Sequence, residues 1–161
     1  MLPEPLPAFV QAVGDFNHDG KLDFATSQFG SNPVSVYLGN GDGTFQPAKT
    51  FSGPSDHIGS LLAVDLNHDN KTDLVEVLSD IGTSVSAIVQ LWISNGDGTF
   101  TRGQSIVAST GIVANQYTGG AVTGDFDGDG KPDIALIYGY AIDQQAAQTV
   151  PVASTVQIFY G

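Results

Sequence analysis

The chain has 161 residues, of which 41% are hydrophobic, so it is long enough and apolar enough to bury the core of one domain. Its formal net charge of −12, with only five Lys and Arg residues, argues against nucleic acid as a partner and against an anionic membrane surface. Cysteine is absent, which excludes disulfides and thiolate metal sites. We therefore expect one folded, acidic domain.

The first segment, residues 1–9, contains three prolines, one glutamate and no long apolar run. This composition is not that of a signal peptide, and no later segment has the length and hydrophobicity of a membrane span. We interpret 1–9 as a Pro-rich N-terminal arm, which follows either a removed leader or further sequence.

Three stretches then repeat one acidic template of nine residues, here called the acidic loops, at 15–23, 65–73 and 125–133. Oxygen-bearing side chains occupy positions 1, 3, 5 and 9 of each loop, and position 7 is always Lys. Carboxylates packed at this spacing repel by about 4 kcal/mol per pair at 4 Å in a surface-like dielectric, so they need a cation between them. Oxygen ligands of this kind suit Ca²⁺. The template predicts three Ca²⁺ sites, and three ions would halve the net negative charge.

The predicted ligands are the side chains at positions 1, 3, 5 and 9 and the backbone carbonyl of the lysine at position 7, whose ammonium group we expect to project into solvent. In chain order these residues are Asp15, Asn17, Asp19, Lys21 and Asp23; Asp65, Asn67, Asp69, Lys71 and Asp73; and Asp125, Asp127, Asp129, Lys131 and Asp133. Position 6 requires a left-handed backbone, which Gly20 and Gly130 adopt freely and Asn70 adopts with slight strain. We expect the second site to be slightly strained or weaker.

Two other interpretations of the acidic loops were weighed. Asp, Asn and Gly are ordinary turn residues and need no ion, although three copies with oxygens at the same positions disfavour this explanation. An EF-hand also opens with acids at positions 1, 3 and 5, but its twelfth residue should be a bidentate Glu. Position 12 is Thr26, Glu76 and Leu136 here, and the flanks lack a helical period. The sequence therefore favours a loop between two strands.

Apolar stretches on both sides of each acidic loop, and a third stretch with period-two alternation, predict three strands in each repeat. In chain order the predicted strands cover 12–14, 24–26 and 34–38; 62–64, 74–78 and 88–93; and 121–124, 134–138 and 156–160. Two Asn-Gly-Asp-Gly-Thr-Phe turns, at 40–45 and 95–100, supply the positive φ angles of tight hairpins and lead into a fourth strand. The third repeat ends before such a turn. We expect the acidic loops and these turns at the same end of each sheet.

The segment 14–23 together with the turn at 39–45 resembles the FG-GAP/VCBS repeat family, relatives of the integrin α-subunit propeller, and the resemblance covers nearly all of the chain. It implies an all-β protein of β-propeller blades with four antiparallel strands, Ca²⁺ on one face, and an extracellular or cell-surface role in adhesion or carbohydrate binding. Extracellular calcium modules typically fill at about 10⁻⁴ to 10⁻³ M Ca²⁺, which agrees with that location.

We expect a single propeller-type domain over 1–161, with repeat units at about 10–52, 60–108 and 120–161. Propellers close with about four to eight blades, so three blades are a partial propeller. We expect completion by a homo-oligomer, either a dimer that closes a six-bladed ring or a larger assembly, or by blades missing from this sequence. In the dimer, the segment 2–10 of one chain would supply the outer strand that the third blade of the other lacks.

Calcium in these loops is expected to be structural, and ligand recognition is expected at the opposite end, where the connections 29–33, 53–60, 79–86, 110–119 and 139–154 vary in length. The candidate ligand contacts are His57, Tyr117, Tyr138 and Tyr140, which can stack on a sugar or peptide or simply pack their own loops. A structural self-assembling subunit without a small ligand is the alternative. A secreted hydrolase or enzyme accessory domain is a second alternative, but His18, His68 and His57 lack an evident nucleophile, so no catalytic residue is predicted.

Overall fold

The computed structural model describes residues 10–27, 33–52, 58–79, 87–108, 116–140, 155–159 and 161, and within these the chain forms eleven β-strands and no helix. In chain order the strands are β1 Val10–Gly14, β2 Asp23–Ser27, β3 Pro33–Tyr37, β4 Lys49–Ser52, β5 Ile58–Val64, β6 Asp73–Ser79, β7 Ala87–Ser94, β8 Phe100–Ala108, β9 Gln116–Gly124, β10 Asp133–Tyr140 and β11 Thr155–Phe159. No helix in this part of the chain is long and apolar enough to cross a membrane.

The strands form three antiparallel meanders, which we call blades 1, 2 and 3. Blade 1 has the order β1-β2-β3-β4, blade 2 has the order β5-β6-β7-β8, and blade 3 contains β9, β10 and β11 with β10 in the centre. The prediction of an all-β fold built from propeller blades is confirmed. The innermost strands β1, β5 and β9 are neighbours in space, so the blades follow one another around a common axis.

Both kinds of hairpin connection lie at the same end of the blade in blades 1 and 2, as predicted. Every acidic loop closes a hairpin in which the residue before position 1 pairs with position 9, as Gly14 does with Asp23. In blade 1 the second hairpin turn is closed by a hydrogen bond from the Asn40 N–H to the Thr44 carbonyl oxygen at 2.9 Å. Gly41 and Gly43 have φ angles of 81° and 86° in that turn, which explains the glycines of the turn motif.

The blades pack face to face through two apolar clusters. The first cluster joins blades 1 and 2 and includes Val34 and Val36 from one blade and Leu74 and Trp92 from the other. The second joins blades 2 and 3 and includes Val75, Val77 and Val89 from blade 2 with Ile134 and Leu136 from blade 3. Branched residues at alternate strand positions therefore stabilise both the strands and the contacts between the blades.

Several sequence expectations fall outside the described residues. The N-terminal arm, residues 1–9, does so, and of the segment 2–10 only Val10 is described, where it begins β1. The connections 28–32, 53–57, 80–86, 109–115 and 141–154 also lie outside the described residues. The opposite end of the blades is thus described only as far as the strand ends.

Candidate metal centre

Position 1 of each acidic loop organises the loop backbone. In the first loop, the two carboxylate oxygens of Asp15 accept hydrogen bonds from the N–H groups of Asp19 at 3.1 Å and Gly20 at 2.8 Å. The second loop repeats both contacts from Asp65. In the third loop, Asp125 keeps the bond from the N–H group at position 6, Gly130, but its other donor is the N–H group of Gly128 at position 4. The local turn therefore forms around this carboxylate without any residue from outside the loop.

Positions 3 and 5 continue the same pattern with shorter turns. The side-chain oxygen of Asn17 accepts a hydrogen bond from the Asp19 N–H at 3.1 Å, and Asp19 accepts one from the Lys21 N–H at 2.9 Å. The equivalent bonds recur in the other two loops. Asp and Asn favour turns for this reason, since their side chains bond to the backbone two residues ahead.

Position 9 has a second role that the sequence analysis did not predict. Asp23, Asp73 and Asp133 are buried, and each uses both carboxylate oxygens to accept backbone N–H groups. One donor is the residue at position 2 of the same loop, such as Phe16 at 2.8 Å, and the other is a residue at or just after the end of the third strand, such as Gly39 at 2.8 Å. Equivalent bonds occur in blades 2 and 3. Each carboxylate oxygen keeps a second lone pair, so this role is compatible with binding a cation.

The lysine side chains at position 7 are 38–54% exposed, and their ammonium groups also make a contact that was not predicted from the sequence. Each one pairs with the carboxylate at position 5 of its own loop, at Nζ–Oδ2 distances of 3.2, 3.0 and 3.2 Å in chain order. The concentrated negative charge of the loop attracts the nearest cation, and the turn brings position 7 within reach. These pairs are partly exposed, so each stabilises the fold only slightly.

The pKa values of the loop carboxyl groups follow from these contacts. The Lys71 ammonium group holds the pKa of Asp69 below its usual value, and hydrogen bonds from the backbone of Lys21 and Lys131 do the same for Asp19 and Asp129. Burial raises the pKa of Asp73, against the effect of its two backbone donors. The position 5 carboxylates are therefore ionised at neutral pH.

Three acidic side chains converge in the third loop. Carboxylate oxygens of Asp125, Asp127 and Asp133 all lie within 4.8 Å of one another, the one acidic cluster of this kind in the described part of the chain. The first two loops have Asn at position 3, and the carboxylate at position 5 is drawn toward lysine in every loop. The donors are all hard oxygens, so the chemistry of the set fits Ca²⁺.

Backbone conformation agrees with the predicted turn at position 6 and adds a second special position. The φ angles of Gly20, Asn70 and Gly130 are 81°, 64° and 87°, which confirms the left-handed turn. Position 4 is left-handed as well, with φ of 59° at both His18 and His68. This second turn was not predicted from the sequence, although Gly128 at position 4 of the third loop was a signal for it.

A surface cavity of about 380 Å³ lies between the second and third acidic loops. Its lining includes Asp65 and His68 from one loop and Asp125 and Lys131 from the other. Acidic loops of neighbouring blades therefore adjoin each other on one surface of the molecule.

The predicted ligand contacts lie at the other end of the blades, in part outside the described residues. His57 belongs to an undescribed segment. The β9–β10 register places the backbone of Tyr117 opposite Gly139, which stands between Tyr138 and Tyr140. The sheet therefore brings three of the four predicted positions together at one strand end.

The blades and their acidic hairpin loops define a β-propeller repeat protein. The chain belongs to the FG-GAP repeat family: the FG-GAP-like repeat matches residues 14–76 and 78–136, and the FG-GAP repeat matches residues 117–156. The resemblance stated from the sequence is thus confirmed. Repeats of this family form propeller blades and are generally non-catalytic. A search of curated proteins found no match to this chain.

Proposed function

We propose that this chain is a calcium-stabilised β-propeller module that binds carbohydrate or protein ligands outside the cell. The observation that carries the calcium assignment is the convergence of Asp125, Asp127 and Asp133 within 4.8 Å, in a loop whose pattern of oxygen side chains occurs three times. The proposed ligands are the residues at positions 1, 3, 5, 7 and 9 of each acidic loop.

The electrostatics of the loops support a divalent cation. Each loop holds at least three carboxylates, and among the described residues only one ammonium group lies within ion-pair distance of each loop. A bound Ca²⁺ would neutralise the remaining charge. The residues at positions 1 and 9 already have their backbone bonds in place, so the loop is largely pre-organised for the ion.

The proposed role of the ion is to stabilise the hairpins. A cation that binds only the folded state stabilises it by RT ln(1 + [Ca²⁺]/Kd), about 2.7 kcal/mol for one site at a hundred times Kd. Position 9 extends this effect beyond the loop, because its carboxylate also holds the end of the third strand. Millimolar Ca²⁺ outside the cell supports the extracellular location.

Ligand binding is proposed at the end of the blades opposite the acidic loops. The strand register brings the backbones of Tyr117, Tyr138 and Tyr140 together there, and tyrosines combine an apolar ring with a polar tip. This arrangement supports recognition of a sugar or a peptide. Binding on a glycan array that is lost in Tyr138→Ala and kept in Leu22→Ala, a change at an exposed residue of the first acidic loop, would support this assignment.

The calcium assignment is tested by melting temperature in Ca²⁺, in Mg²⁺ and in chelator. We expect a drop of several degrees in chelator that Mg²⁺ does not reverse. The double variant Asp125→Asn and Asp127→Asn should lose part of the calcium effect. Asp97→Asn, a change at an acidic turn residue outside the loops, should keep all of it. A melting temperature that is indifferent to chelator would contradict the proposal.

A further inference from the structure

Each blade has two faces that differ in their neighbours. The forward face of a blade is the face turned toward the next blade along the chain. The backward face is the opposite face. The forward face of blade 1 contributes Val34 and Val36 to the first apolar cluster, and the backward face of blade 2 contributes Leu74 and Trp92. Between blades 2 and 3 the same arrangement recurs, with Val89 on the forward side and Ile134 on the backward side. Equivalent strand positions thus form both contacts.

The forward face of blade 3 is exposed at positions that are buried in the other two blades. Val34, Val89 and Val156 are at equivalent positions in the third strands of blades 1, 2 and 3. Each of them pairs with the second-strand residue that lies four places after position 9 of the acidic loop. Val34 and Val89 are 0% exposed, whereas Val156 is 59% exposed. Two neighbouring positions on this face differ in the same direction. Ile137 is exposed and its blade 2 counterpart Val77 is buried. Ile158 is exposed, whereas its counterparts Val36 and Leu91 are buried and partly buried.

Position 2 of the acidic loops shows the same difference at the loop end. Phe16 is 0% exposed, because the ring of Phe100 from blade 2 packs against it with 5.7 Å between centroids. The Phe16 carbonyl oxygen also accepts a hydrogen bond from Gly98 of blade 2 at 3.1 Å. Phe126 occupies the same loop position in blade 3 and is 48% exposed.

Blade 1 carries the complementary surface on its backward face. Val13 there is 60% exposed, and the half-buried rings of Phe24 and Tyr37 stack with 4.6 Å between centroids. Phe45, the last residue of the blade 1 turn, packs its ring edge against Phe24 at 4.7 Å. Phe45 is the counterpart of Phe100, because both end an Asn-Gly-Asp-Gly-Thr-Phe turn. The chain therefore has an apolar forward face at one end of the arc and an apolar backward face at the other.

We propose that the forward face of blade 3 binds the backward face of blade 1 in a second copy of this chain, with Phe126 of one copy packed against Phe45 of the other. The occupant follows from the repeat, since the contact reproduces those between blades 1 and 2 and between blades 2 and 3. Blade 2 separates the two faces within one chain. Two copies that make this contact twice form a ring of six blades, and propellers close with about four to eight blades. The contact joins two different surfaces, so it is heterologous, and a half-turn between the two copies closes it as a ring.

Light scattering of the chain at micromolar concentration in millimolar Ca²⁺ tests the proposal. We expect a particle of twice the mass of one chain. Phe126→Asp and Val156→Asp should each give monomers, because each places a charge in the contact. Val107→Asp is the matched control: Val107 is 59% exposed on β8 of blade 2, outside both proposed contact faces, and its variant should still form the two-copy particle. Circular dichroism should show the same β-sheet content in all three variants.

A mixing experiment identifies which faces meet. Val13→Asp, which changes the backward face of blade 1, should also be monomeric alone. Mixed with Phe126→Asp, it should form a two-copy particle held by the one contact that remains intact. A wild-type chain that is monomeric at tens of micromolar would overturn the proposal and assign both faces to other blades. A two-copy particle that tolerates Val13→Asp and not Phe126→Asp would also overturn it, since two copies of blade 3 would then face each other.

Discussion

The carboxylate of Asp23 accepts a hydrogen bond from the backbone N–H of Gly39 at 2.8 Å, across sixteen residues of chain. Its other oxygen accepts the N–H of Phe16 at 2.8 Å, so one buried side chain joins the acidic loop to the end of the third strand. The three blades share this connection. It explains why the last aspartate of each loop is buried while the others lie nearer the surface.

The first prediction separates this structural role from metal binding. In chelator, Asp73→Asn should lower the free energy of unfolding by about 1–3 kcal/mol, because the amide NH₂ group would face one of the two backbone donors, Leu66 or Ser94. Asp69→Asn, at the exposed position 5 of the same loop, should change it by no more than about 0.5 kcal/mol. Urea denaturation in chelator measures both. Equal losses in the two variants would show that position 9 has no special structural role.

The second prediction concerns packing between blades 1 and 2. Gly43 and Gly98 occupy the same turn position with φ of 86° and 80°. Replacing either glycine by Ala should therefore lower the free energy of unfolding by a similar amount, about 1 kcal/mol, through backbone strain alone. A Cβ on Gly98 would lie 2.8 Å from Leu38 Cδ2 of blade 1, whereas a Cβ on Gly43 meets nothing within 4 Å. Gly98→Ala should therefore cost about 1–3 kcal/mol more than Gly43→Ala.

Urea denaturation of both glycine variants should be done in a Phe126→Asp background, so that assembly does not contribute. Similar losses for Gly43→Ala and Gly98→Ala would mean that the turn of blade 2 does not pack tightly against Leu38.

The third prediction is a pH dependence that arises from Glu76. Burial raises the pKa of Glu76 above its ordinary value of 4.5, although the hydrogen bond from Trp92 Nε1 to Oε2 at 2.9 Å and the charge of Arg102 oppose the shift. Its other oxygen is buried without a hydrogen-bond partner among the described residues. Because the folded state holds this proton more tightly than the unfolded state, Glu76 lowers stability as the pH rises from about 4.5 through the folded pKa.

Glu76→Gln should remove the loss of stability that ionisation of Glu76 causes as the pH rises. We expect its free energy of unfolding to exceed that of the wild type by about 1 kcal/mol or more at pH 7, with the difference shrinking toward pH 4. Urea denaturation from pH 4 to pH 8 measures the difference directly. A variant that is less stable than the wild type at pH 7, or a difference that is constant with pH, would mean that the carboxylate is well accommodated between the blades.

The sequence was sufficient for the local structure of this protein and not for its long-range contacts. Repeated Asp and Gly residues predicted the acidic loops and their left-handed turn, because those features depend on neighbours along the chain. The hydrogen bond between Asp23 and Gly39 joins segments that are distant in the sequence. The difference in exposure between Phe16 and Phe126 depends on whether a following blade packs against the loop. A local sequence pattern contains neither kind of information. The pairing of the lysine ammonium groups with position 5 was not predicted for a similar reason, since it depends on the folded turn.

The central claim is that the acidic loops bind calcium, and the stoichiometry of bound metal tests it most directly. Equilibrium dialysis against millimolar Ca²⁺, followed by metal analysis, should give three ions per chain. The double variant Asp125→Asn and Asp127→Asn should give two. A wild-type chain that retains no more calcium than the dialysis buffer would contradict the account.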